Sequence, residues 1–82
     1  MIITVAAGAT NSGFTGTTAP VIQNLGPGDL YVSDTNTDVT TRGLYLPPYA
    51  VYEFPQVVVE GPGAIWLQAL GGNCDVRIIN VG

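Results

Sequence analysis

Gly43-Leu-Tyr-Leu-Pro-Pro-Tyr-Ala-Val-Tyr-Glu-Phe-Pro55 is the stretch on which the fold of this chain turns. Leu44, Tyr45 and Leu46 read as a short strand that runs into Pro47-Pro48. A second run, Val51, Tyr52 and Phe54, starts at once and is cut by Pro55. Each proline removes a ladder donor and fixes φ near about −65°, so the chain leaves one strand and enters another through a rigid corner. Three of the four tyrosines and one of the two phenylalanines lie in this segment, which makes it the packing anchor of a small β domain. Leu44, Leu46, Val51 and Phe54 are expected to face the core. Tyr45, Tyr49 and Tyr52 are then surplus amphipathic side chains, placed where a neighbour could cover them.

Working outward, Pro20-Val-Ile-Gln-Asn24 and Leu30-Tyr-Val-Ser33 read as strands joined by a Leu25-Gly-Pro-Gly-Asp29 turn, hence an antiparallel hairpin. Asp34 to Arg42 is a polar loop whose one strongly apolar residue is Val39. Beyond the corner, Gln56-Val-Val-Val-Glu60 is strongly β-prone, and Gly61-Pro-Gly63 is a second turn. Ala64-Ile-Trp-Leu-Gln-Ala-Leu70 is a nearly continuous apolar strand. Gly71-Gly-Asn73 is expected to close a last hairpin to Cys74-Asp-Val-Arg-Ile-Ile-Asn-Val81. Ile2 to Ala6 is a short β-branched run that reads as a strand. Ala7 to Thr18 is rich in Gly, Ala, Thr and Ser, lacks periodicity and reads as an extended arm or long loop. Its one large apolar residue, Phe14, either folds back onto its own core or inserts into a neighbouring subunit. The fold expected is all-β: a small antiparallel sandwich or barrel with a jelly-roll or Greek-key path over residues 19–82, preceded by an N-terminal arm over residues 1–18.

The 82 residues make one domain at most, with six acidic residues, Arg42 and Arg77 as the only cations, and no histidine. A formal charge of −4 argues against a phosphate-backbone ligand, which needs clustered cations. Soluble monomers usually carry a more charged surface, so this composition suits a protein packed into an assembly. Cys74 is alone, which excludes an intrachain disulfide and a thiolate metal site within one chain. No apolar run approaches the ~20 residues of a membrane span. The opening Met-Ile-Ile-Thr-Val-Ala-Ala has no basic region and too short an apolar run for a signal peptide. A domain of this size without disulfide or metal is marginal alone, and copies of itself are a source of the missing stability.

Catalytic chemistry finds little footing. There is neither histidine nor lysine, and Ser12 and Ser33 have no base to activate them. Glu53 and Glu60 are two carboxylates seven positions apart that read as solvated strand residues. Asp34-Thr-Asn36-Thr-Asp38 matches the opening ligand positions of a calcium loop. It then has Val39 where glycine is needed and Tyr45 where the closing glutamate belongs, and reads as a polar loop with Asx-turns. The glycine-rich segments precede no helix and are turns, not phosphate cradles. Tyr31, Tyr45, Tyr49, Tyr52 and Trp66 could stack sugars in a shallow groove, but read first as core or interface. The expectation is a non-enzyme with no cofactor.

Taken in order, a Gly/Ala/Thr-rich start, V-I-Q-N-L-G-P-G-D-L-Y-V, a Thr/Asp-rich loop, G-L-Y-L-P-P-Y-A-V-Y-E-F and a closing W-L-Q-A-L…D-V-R-I-I-N-V resemble the small capsid decoration or head-fibre-base proteins of tailed bacteriophages. The resemblance covers residues 20–81, and it departs at Pro48-Tyr49, where a Pro-Gly turn would be usual. It implies a structural virion protein on the outer surface of the head, commonly a trimer, that clamps and stabilises the lattice of the major capsid protein. A receptor- or glycan-binding module of a phage fibre, tail or cell-surface adhesin is the alternative. The candidate contacts with a second copy or with the capsid are Ile2, Ile3, Val5 and Phe14, followed by Tyr49, Tyr52, Val57, Val58, Val59 and Trp66.

Overall fold

A computed structural model describes residues 2–11, 16–55, 57–59 and 65–80. The elements run β1 (Ile2–Val5), β2 (Thr10–Asn11), β3 (Gly16–Thr18), β4 (Pro20–Ser33), α1 (Val39–Arg42), β5 (Leu44–Leu46), β6 (Val51–Glu53), β7 (Val57–Val59) and β8 (Trp66–Asn80). Among the described residues the protein is all-β and antiparallel apart from the single turn of α1. The two long strands β4 and β8 pair along their length and form the spine of a six-stranded sheet. Each edge is split between two short strands: β1 and β2 line the free side of β8, and β5 and β6 line the free side of β4. β3 and β7 make a separate two-stranded sheet.

The two expected hairpins are not hairpins. Leu25–Asp29 and Gly71–Asn73 each lie inside a continuous strand, and they face each other across the β4–β8 ladder. Between Asn24↔Val76 and Pro27↔Cys74, β4 advances by three residues and β8 by two. Between Pro27↔Cys74 and Asp29↔Leu70, β4 advances by two and β8 by four. Glycine and proline supply the irregular backbone here, but the chain bulges where it was expected to reverse. Bulges of this kind bend a strand and increase its twist. Gly26 takes φ +76°, and its peptide bond to Pro27 is cis. Gly28 is required for another reason: a Cβ at that position would lie 2.4 Å from the Gly72 carbonyl oxygen.

The core sits on one face of the spine. Every even position of β4 from Pro20 to Val32 is buried. On β8 the buried set is Leu67 and Ala69 before the bulge, then Cys74, Val76 and Ile78 after it. From the pair Leu30↔Ala69 to the pair Ile22↔Ile78, β4 runs eight residues and β8 nine. That one extra residue switches the inward parity of β8, because side chains alternate with period two.

One buried polar side chain ties the bulge to the proline corner. Asn24 is fully buried; its Nδ2 donates to the carbonyls of Gly28 (2.9 Å) and Leu46 (2.8 Å), and its Oδ1 accepts from the Gly26 amide (2.8 Å). Its backbone amide also donates to the Ala50 carbonyl, and its carbonyl accepts from the Tyr49 amide. Residues 47–50 therefore bridge β5, paired with one half of β4, and β6, paired with the other. In the polar loop, Val39 is the buried residue, and α1 is the single turn that aims it inward.

The β-branched run at the start of the chain is a strand, as its composition suggests. Ile2–Val5 is an edge strand of the main sheet, with Ile2 opposite Arg77 and Val5 opposite Cys74. The β-branched run alternates, so Ile3 and Val5 turn inward while Ile2 and Thr4 face out, and Val5 is fully buried in the core.

Candidate interaction face

The face of the sheet opposite the core carries the exposed side chains of the spine. Directly paired residues share a face, so the register lays this surface out row by row. One row across the strands is Val51, Gln23, Arg77 and Ile2. The next, two residues along, is Glu53, Val21 and Ile79. Beyond the bulge come Tyr45, Tyr31 and Gln68 in one row, with Asp29 opposite Leu70 beside it. Ile2, Val51, Ile79 and Leu70 each expose more than half of their surface, as does Tyr45. These apolar side chains, collected on one side of a small sheet, form the candidate interaction surface.

The tyrosines differ in how they are held. Tyr31 and Tyr45 form a cross-strand pair with ring centroids 5.2 Å apart and planes tilted by 32°. The Tyr45 hydroxyl donates to Asp29 Oδ1 at 3.0 Å. That hydrogen bond, with smaller contributions from desolvation and from the charges of Asp29 and Tyr31, raises the Tyr45 phenol above its ordinary pKa. Tyr52 packs edge-to-face on Phe54, 4.6 Å between centroids, and both lie against the core.

Tyr49 stands apart. The Ala50 amide donates to the Pro47 carbonyl at 3.0 Å, so residues 47–50 form a tight turn with Pro48 and Tyr49 at its centre. Tyr49 takes φ +71°, the left-handed region where glycine is the usual occupant, and is 73% exposed. The backbone strain has no packing reward in the isolated chain.

The candidate contact residues therefore divide. Ile2 and Tyr49 are exposed and available. Val5 is a core residue and is withdrawn as a contact, because its strand parity turns it inward against Cys74. Ile3 and Tyr52 are half-buried against the core, and Trp66 is half-buried on β8 opposite Ser33. Phe14 lies outside the described residues, as do the side chains of Val57, Val58 and Val59, whose backbone forms β7. Leu44 and Val51, expected in the core, are instead exposed at the sheet edge, whereas Leu46 is buried as expected. The exposed apolar residues of this face that sequence reasoning did not single out as candidates are Val51, Leu70 and Ile79; their outward parity follows from the register of β4 with β6 and β8, which no local pattern in the sequence reveals.

Reactive groups are few among the described residues. No three His, Cys, Asp or Glu side chains converge on a common point there. Cys74 is buried and opposite Pro27. Burial, followed by the nearby charges of Asp29 and Asp75, pushes its thiol pKa up and away from the nucleophilic thiolate. No helix among the described residues is long and apolar enough to cross a membrane. No family model matches the chain, and no curated protein or solved structure matches it either.

Proposed function

We propose that this protein works by attachment and not by chemistry: it is a structural module of the capsid-decoration kind, self-associating and docked through its outer sheet face and proline corner on the major capsid protein at the outer surface of a tailed-phage head. The observation that carries the reading is Tyr49, a largely exposed aromatic residue held in a backbone conformation that glycine would occupy without strain. Strain kept at an exposed tyrosine fits a side chain retained for a contact. The rigid Pro47-Pro48 corner lowers the entropy cost of that contact. The apolar outer face and the low charge of the chain support the same reading, as does the likeness in segment order to decoration proteins.

Electron cryo-microscopy of particles from the source of this gene is the test. The expected result is density for the chain on the outside of the head, with the 47–50 corner at a protein contact. Particles that lack the chain, or carry it with the corner facing open solvent, overturn the reading.

A second reading, a glycan- or receptor-binding module, is favoured by the Tyr31–Tyr45 pair, a preorganised aromatic surface with Asp29 at its edge. A glycan array whose hits vanish on Tyr45→Ala would establish it in place of the first.

A further inference from the structure

We infer that a second copy of this chain docks on the outer face of the sheet around Val21, in a two-fold contact that sets Arg77 of each copy against Glu53 of the other. The inference rests on the self-association part of the proposed function and names its contact. The register arranges charge and apolar surface on this face in a self-complementary way. Arg77, Gln23 and Val51 make one row, and Ile79, Val21 and Glu53 the row beside it. Arg77 and Glu53 thus occupy opposite corners of a three-strand patch, and Ile79 and Val51 occupy the other two. With strands about 4.8 Å apart and residues two apart separated by about 6.8 Å, the patch measures about 10 by 7 Å between Cα positions.

A two-fold axis lying in the contact plane along the Ile79–Val51 line brings each charged corner to within about 4 Å, in projection, of the other, a gap that the arginine side chain spans. Arg77 of one copy then reaches Glu53 of its partner, and the reverse holds at the other end. Ile79 and Val51, on the axis, meet their own counterparts. An isologous contact needs this kind of self-complementarity, in which residue i meets j and j meets i. Arg77 and Glu53 are both exposed, and neither makes an ion pair among the described residues. Asp75 lies on the same face two residues from Arg77, but it already accepts a hydrogen bond from Thr4 Oγ1 at 2.9 Å. Glu53, at the corner diagonal to Arg77, is the carboxylate that a two-fold contact sets against it. Ile2, opposite Arg77 on the edge strand, extends the apolar area on one side. The same construction crosses the strands of the two copies at roughly 70°, nearer to orthogonal than to aligned sheet packing.

The pairing differs from the three-fold assembly that the resemblance implies, and the two are separable by mass. Sedimentation equilibrium of the full chain is the experiment, with Arg77→Glu, Glu53→Arg, the double reversal and Ile79→Gln. The expected result is a species of two copies, or an even multiple. Each single reversal weakens association about tenfold or more by placing like charges together, and the double reversal restores it. Ile79→Gln weakens it without touching a charge. Thermal melts confirm folding of each variant, and should a reversal fail to fold, Ile79→Gln decides alone. A chain that is monomeric at every concentration, an odd-numbered species, or a double reversal that fails to restore association overturns the contact. Association that ignores all four substitutions overturns the contact while leaving the assembly reading intact, since that reading stands or falls on the particles.

Discussion

Replacing Asn24 with alanine tests whether the bulge and the proline corner are held by one side chain. Asn24 is fully buried, and its amide makes three hydrogen bonds, to the Gly28 and Leu46 carbonyls and from the Gly26 amide. Truncation leaves those three backbone groups without that partner. A buried group stripped of its partner costs about 1–3 kcal/mol. The vacated space can admit a water that recovers part of this, so the low end applies at each site and the sum is about 3 kcal/mol. A domain of this length has on the order of 4–12 kcal/mol in total, so the loss is a large share. Urea unfolding followed by circular dichroism reads it directly. With a slope of about 1 kcal/mol per molar urea, the midpoint falls by about 3 M.

Asn24→Asp sharpens the test because it keeps the shape. A carboxylate oxygen then stands where Nδ2 donated to two carbonyls. Its folded pKa is raised above the unfolded value of about 3.9, since the charged form is desolvated and meets only acceptors there. The folded state therefore binds more protons than the unfolded one, and the stability of the variant relative to the parent falls as pH rises through that window. A midpoint shift under about 1 M for Asn24→Ala, or a difference between Asn24→Asp and the parent that does not vary with pH, would refute the assignment of Asn24 as the tie.

Gly28→Ala drives a Cβ to within 2.4 Å of the Gly72 carbonyl oxygen and is expected to cost about 3 kcal/mol. Gly71→Ala, at φ +75° but with nothing within 4 Å, should cost only about 1–2 kcal/mol, and paired urea titrations compare them. Tyr49→Gly relieves the left-handed strain at φ +71° and should raise stability by about 0.5–1 kcal/mol while weakening assembly, the two measured by thermal melts and by binding to particles. Tyr45 should ionise above an ordinary tyrosine in a tyrosinate absorbance titration, and Asp29→Asn should bring it down. Because its folded pKa exceeds the unfolded value of about 10, its contribution to stability is complete below that pH and is lost as pH rises through the folded pKa.

The strand content and the antiparallel class were legible in the sequence, because β-branched and aromatic runs separated by glycine and proline leave few other folds. Leu44–Leu46 and the start of the following strand at Val51 were legible for the same reason, with Pro47-Pro48 between them. The wiring was not. Gly26-Pro27-Gly28 and Gly71-Gly72 have the same local chemistry whether the chain reverses or bulges. What decides between the two is the strand opposite, and that is a non-local fact: each irregular segment is accommodated by the other. Val51 was misplaced because alternation states which residues share a face but not which face is covered, whereas Leu44 lies on the inner side with Leu46, opposite Val32, and is exposed at the start of its short edge strand. Asn24 looked like a polar strand end and is instead the buried link between two segments more than 20 residues apart in the case of Leu46. The departure at Tyr49 from the usual Pro-Gly turn was visible in the sequence, and its left-handed backbone gives that departure a physical meaning.

The two faces of the spine are thermodynamically separable, and this connects the fold to the attachment reading. The inner face holds Ile22, Leu30, Leu67, Val76 and Ile78, and the Asn24 link fixes how the sheet passes its bulges. Folding free energy is concentrated there. The outer face contributes far less to folding, because Ile2, Val51, Leu70 and Ile79 keep more than half of their surface in water. Burying that surface against a partner yields about 25 cal/mol for each Å² of apolar area removed, a gain available only on association. Strain at Tyr49 belongs on the same side of the balance, since its exposed ring gains no burial in the isolated chain. Substitutions on the inner face should therefore shift the melting temperature and affect assembly only through loss of the fold. Ile79→Gln and Tyr49→Ala should do the opposite, weakening assembly while the isolated chain melts within a few degrees of the parent. An Ile79→Gln variant that loses stability in step with its loss of assembly would show that both faces serve folding, and the outer face would then lose its claim as a docking surface.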